Sequence, residues 1–62
     1  MTRKQILKKC EIAKNCGEAI LPNGDVIRYF DTTGEYSLLS AWKHQTILVT
    51  YKPEKIADIC ID

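Results

Sequence analysis

The sequence predicts an α+β fold: an N-terminal amphipathic helix, an antiparallel meander of three or four short strands, and a short C-terminal helix. Three observations carry this prediction. Apolar residues recur at helical spacing up to Asn15. After Gly17 the apolar segments become short, β-prone and separated by turn residues. Beyond Pro53 the helical spacing returns.

Over residues 2–15, Ile6, Leu7, Cys10 and Ala13 fall at i, i+1, i+4 and i+7, with Ile12 on the flank and lysines elsewhere. Thr2 is placed to cap this helix, and Gln5 stands three residues on as its capping-box partner. Asn15 or Gly17 ends it, since either adopts the left-handed conformation.

The stretch EAILPNGDVIRYF holds two apolar segments around Pro22, Asn23, Gly24 and Asp25. Asn-Gly between β-prone residues is a strong hairpin signal, so strands are expected over 18–21 and 25–30. Pro22 has no amide donor and belongs at a strand end or edge. Asp31 to Gly34 form a second turn.

Residues 35–43, EYSLLSAWK, allow two readings. Tyr36, Leu38 and Trp42 share one face of a strand, whereas Leu38, Leu39, Ala41 and Trp42 make a helical stripe. The strand is preferred because turn signals then recur at the spacing of a β-meander; a short helix is the alternative. Lys43, His44 and Gln45 then form a hairpin tip, with Trp42 closing the preceding strand into the core. Residues 46–52, TILVTYK, are rich in β-branched side chains and read as the clearest strand. Pro53 stops it and opens a helix of about two turns, with Glu54 at the positive end of its dipole. Ile56, Ile59 and Cys60 share the face that packs.

Sixty-two residues make a single domain. A chain of this size hides only about 60% of its unfolded surface, so a deep, water-excluding catalytic pocket is not expected. Its core supplies roughly 3–5 kcal/mol without help, which points to a disulfide, a metal or a partner chain as support. A hydrophobic fraction of 45% and a charged fraction of 27% are those of an ordinary folded protein. No apolar run approaches the ~20 residues of a membrane span, and the opening MTRKQ leads into an amphipathic segment rather than a signal peptide. A cytoplasmic protein with no membrane association is therefore expected.

Cys10, Cys16 and Cys60 are an odd set without a secretion signal, which favours reduced thiols packed in the core. Together with His44 they are chemically a Cys₃His zinc set. Cys10 and Cys16, however, lie six apart, with no Cys-x-x-Cys or histidine pair, so no metal is expected. A cysteine nucleophile served by His44 has no diagnostic order behind it, and no phosphate-binding glycine loop, dinucleotide fingerprint or metalloprotease helix is present. Neither catalysis nor a cofactor is expected.

Binding remains. The apolar residues are generous for one small core, and Val26-Ile27, Tyr29-Phe30 and Ile47-Leu48-Val49 make segments apolar on both faces. Two outcomes are open: one helix covers each face, or a patch or sheet edge is left for a protein partner or a second copy forming a homodimer. The leading expectation is a protein-interaction module, a regulator or inhibitor, anchored by Tyr29, Tyr36 and Trp42. The alternative is nucleic-acid binding. Net charge is only +1, yet residues 1–14 carry +4 and the rest −3. Arg3, Lys4, Lys8 and Lys9 on the first helix, aided by Lys43 and His44, are the candidate phosphate contacts.

Overall fold

Thr2 begins the first helix as its side chain allows. It is extended (φ −77°, ψ 159°), its Oγ1 accepts from the Gln5 N–H at 3.2 Å, and Gln5 Oε1 accepts from the Thr2 N–H at 2.9 Å. This is the expected capping box, and α1 spans Arg3–Cys16. Gly17 ends it at φ 96°, a conformation costly for any residue with a Cβ, and donates its N–H to Ala13 O at 2.7 Å. The computed structural model describes residues 2–60.

The strands are β1 (Glu18–Ile20), β2 (Val26–Phe30), β3 (Glu35–Leu39) and β4 (Thr46–Thr50), followed by α2 (Pro53–Cys60). They form one antiparallel sheet in the order β1-β2-β3-β4. The α+β architecture is the one expected. Asp25 lies in the turn rather than in β2, because its N–H is taken by the Asn23 side chain at 3.0 Å. Lys52 likewise falls outside β4, its N–H donating to Thr50 Oγ1 at 3.1 Å before Pro53 starts α2.

Residues 35–43 resolve into a strand only as far as Leu39. Neither a continuous strand nor a helix follows. Ala41 N–H is captured by the Asp25 carboxylate at 3.1 Å, Lys43 N–H by Ser40 Oγ at 3.3 Å, and His44 N–H by Ser40 O at 3.1 Å. These bonds turn the chain at Ser40, two residues before Trp42. The tryptophan therefore does not share a strand face with Tyr36 and Leu38, and at 87% exposure it is no part of the core.

Cross-strand pairing sorts the sheet into two faces. Ala19, Ile27, Leu38 and Leu48 lie opposite one another in one row, with Tyr29, Tyr36 and Thr50 in the next row on the same face. Residues of the other parity, Ile20, Val26, Arg28, Phe30, Leu39 and Val49, point away. Both helices cover the first face: α1 packs on β1 and β2, and α2 packs on β4 and against α1. The alternative of one helix per face is not what the chain adopts. An eight-residue helix is marginal alone, and lying beside α1 on the same face of the sheet lets α2 bury Ile56 and Ala57 completely. Ile6, Ile27, Leu38 and Ile56 are the large side chains of this core, and each stabilises it by about 1.5–3 kcal/mol.

Candidate functional site

With both helices on one side, the second face of the sheet is open. Ile20 is 62% exposed, Phe30 45% and Val49 49%, while Val26 and Leu39 are half-buried between them. Scattered apolar residues are ordinary on a surface, but Ile20, Val26 and Leu39 are cross-strand neighbours in one row, and such grouping marks a contact surface. Polar residues stand among them: Glu35 opposite Phe30, Thr46 opposite Leu39, and the row of Glu18, Arg28 and Ser37 that leads to Val49. Arg28 Nε lies 3.6 Å from Glu18 Oε2, a long and exposed pair, and Ser37 is buried between Arg28 and Val49.

One end of this face is bounded by the loop between β3 and β4. Val26, Arg28, Leu39, Ser40, Ala41 and His44 line a cleft of about 400 Å³ there, near the lower end of the ~300–1,000 Å³ typical of ligand pockets. Its floor is aliphatic and its rim carries one guanidinium and one imidazole. His44 is the only non-glycine residue at positive φ (49°) among the described residues, a local backbone cost that the loop's hydrogen bonds sustain. Trp42 stands in the same loop, held out in solvent by the bonds that flank it.

The expected anchors are split by this geometry. Tyr36 is 7% exposed and packs with Tyr29 at a centroid distance of 4.9 Å and an interplanar angle of 55°, beneath the helices. Burial first, then the neighbouring Tyr29, pushes the Tyr36 hydroxyl pKa up. These two tyrosines belong to the core side of the sheet and not to the open face. Their alternation with Arg28 and Ser37 was visible in sequence, but the side the helices would choose was not.

The six candidate phosphate contacts are divided as well. Lys4 and Lys8 are exposed on α1, Lys9 is half-buried, and Arg3 is engaged in an ion pair with Asp58 of α2. His44 lines the cleft on the open face, across the sheet from α1, with Lys43 beside it in the loop. They do not form one basic patch.

The cysteines occupy three environments: Cys10 is buried, Cys60 half-buried and Cys16 exposed. Only Cys10 fits the expectation of a fully packed thiol. Burial foremost, then the nearby Cys60 and Glu54, raises its pKa from 9.0 to about 11, the mark of an unreactive group. Among the described residues no group of three or more His, Cys, Asp or Glu is placed to hold a metal ion, and no helix is long and apolar enough to cross a membrane.

No family model, curated protein or solved structure matches this chain. The surface has to be interpreted from its own chemistry. Ile20, Phe30 and Val49 are the residues that sequence reasoning passed over as site candidates. Their signal lay in the strands that are apolar at both parities, where the parity opposite to Ile27 and Leu38 needs a second cover.

Proposed function

We propose that the protein is a small non-enzymatic interaction module that holds a protein partner against the open face of its sheet and the adjoining loop, and so regulates or inhibits that partner. The observation that carries this reading is a face no helix covers, on which Ile20, Val26 and Leu39 form one cross-strand apolar row and Phe30 and Val49 stand exposed beyond it. Trp42, exposed at the rim, has the size and single polar handle of an interface anchor. Arg28 and Lys43 stand around the cleft with Glu18 and Asp25, which suits a partner whose apolar contact is rimmed by side chains of both signs.

The test begins with capture of the partner from the native cell on tagged wild-type protein, followed by calorimetry with that partner purified. Phe30→Glu and Trp42→Ala are each expected to weaken binding at least tenfold, while Lys4→Gln with Lys8→Gln leaves it unchanged. The reverse pattern overturns the reading.

A second reading, binding of single-stranded nucleic acid, is favoured by one observation. Trp42 is exposed next to Lys43 and His44, a stacking surface beside a cation and an imidazole. Trp42 fluorescence reports it directly: titration with an oligonucleotide at low salt quenches the emission, and added salt restores it. Unchanged emission at low salt removes this reading.

A further inference from the structure

We propose that β4 is a self-pairing edge: two copies of the chain join β4 to β4, antiparallel about a two-fold axis at Leu48, into one continuous sheet. The proposal goes beyond the reading above and uses the backbone rim of the sheet, sharing only the Val49 side chain with the open face.

Hydrogen bonds at the ends of the strands set the phase of the ladder. Leu21 N–H donates to Asp25 O at 2.8 Å and Tyr29 N–H to Gly17 O at 3.0 Å, so Ile27 and Tyr29 turn their amides toward β1. By alternation Arg28 and Ser37 bond each other, and Leu38 and Leu48 do the same one strand on. Ser40 N–H donating to Gln45 O at 2.9 Å agrees with that phase. The N–H and C=O of Val49 then point off the edge of the sheet. Alternation from Leu48 turns the Ile47 groups outward as well, up to the register shift between Leu38 and Leu39, beyond which Leu39 stands opposite Thr46.

The two edges of the sheet are built differently. β1 has three residues, contains Glu18 and runs into Pro22, all devices that discourage pairing. β4 has five, its one such device is the register shift at its Thr46 end, and from Gln45 to Tyr51 there is no charge, proline or glycine, while Thr46, Ile47, Val49 and Thr50 are β-branched. Ile47, Val49 and Tyr51 are exposed along it.

The occupant that fits is a second copy. With the axis at Leu48, Ile47 faces the second copy's Val49, Leu48 faces Leu48, and Thr46 faces Thr50, each like with like and no charge opposite a like charge. The outward amides of Ile47 and Val49 exchange hydrogen bonds with those of the second copy. A standard interface takes about 800 Å² per partner, more than a five-residue edge supplies, so the assembly is weak and rises with concentration.

Sedimentation equilibrium of the full chain across micromolar to millimolar concentration, with amide exchange measured on the same samples, tests this. Wild-type mass is expected to climb from 7.1 kDa toward twice that value as the Val49 amide becomes protected. Val49→Pro removes a donor the monomer does not use, and Val49→Lys places a charge at the edge; both are expected to stay monomeric with wild-type circular dichroism. If Val49→Pro fails to fold, Val49→Lys decides. Phe30→Glu, on the open face but away from the edge, is expected to dimerise normally even though it loses the partner. A wild-type monomer throughout, a dimer that survives the Val49 variants, one that Phe30→Glu abolishes, or one with Val49 exchange unchanged overturns the proposal. The first of these results leaves the edge to an extended segment of another protein.

Discussion

The Asp25 carboxylate accepts a hydrogen bond from the Ala41 N–H at 3.1 Å, tying the turn between β1 and β2 to the loop that carries Trp42. The same carboxyl group accepts from Asn23 Nδ2 at 3.2 Å through its other oxygen. One side chain thus joins the two loops at that end of the sheet. Asp25→Ala is expected to cost about 0.5–1.5 kcal/mol and to loosen the loop. Denaturant unfolding reads the first effect and Trp42 fluorescence anisotropy the second. A variant with wild-type anisotropy would show that the loop holds itself.

Gly24, in the same turn, gives a sharper comparison. At φ 94° an added Cβ would meet the Ala41 Cβ at 3.2 Å, whereas Gly17, at φ 96°, has nothing within 4 Å. Gly17→Ala therefore costs the backbone strain alone, about 1 kcal/mol, and Gly24→Ala exceeds it because the loop must shift. Equal midpoints for the two variants in urea contradict the close approach.

Trp42 offers the simplest spectroscopic check. Its exposure predicts red-shifted emission in the folded protein, full access to iodide, and little change on unfolding. Trp42→Ala should alter stability by no more than about 0.5 kcal/mol. Blue-shifted, quencher-resistant emission would place the ring in a core or an interface instead.

The two faces of the sheet should respond differently to truncation. Ile27 is fully buried and Ile20 is 62% exposed on the adjacent strand. Ile27→Ala is expected to cost about 2–5 kcal/mol, a large share of what so small a domain has, and Ile20→Ala a few tenths. Thermal denatured fractions at one temperature rank them.

Cys10 makes stability depend on alkaline pH. Burial, Cys60 and Glu54 raise its pKa from 9.0 to about 11, so the unfolded chain loses this proton first. The stabilisation is fully present below about pH 9 and is lost as pH rises to about 11, about 2–3 kcal/mol in all. Cys10→Ala should flatten that part of the profile. At pH 8 a thiol reagent should modify exposed Cys16 in the native protein and reach Cys10 only on unfolding.

Much of the fold was legible because its signals are local. Thr2 with Gln5, Gly17 and Pro53 mark helix ends through groups within a few residues, and Asn23-Gly24 marks its hairpin in the same way. The loop after Leu39 was not legible, since the group that draws Ala41 out of the strand is Asp25, sixteen residues earlier. Tyr36 and Tyr29 illustrate the same limit. Their strand parity could be read from alternation, but whether that parity met helix or solvent depended on where the helices landed.

The amino-acid order by itself determined the sequence of elements, their caps and the neutral, β-branched character of β4, because propensity and periodicity act between near neighbours. Only the tertiary structure decided that α1 and α2 share one face, that Trp42 stands in solvent and that the basic residues lie on opposite sides. Those outcomes follow from burying Ile56 and Ala57 against both a helix and a sheet, a gain that exists only once distant segments meet.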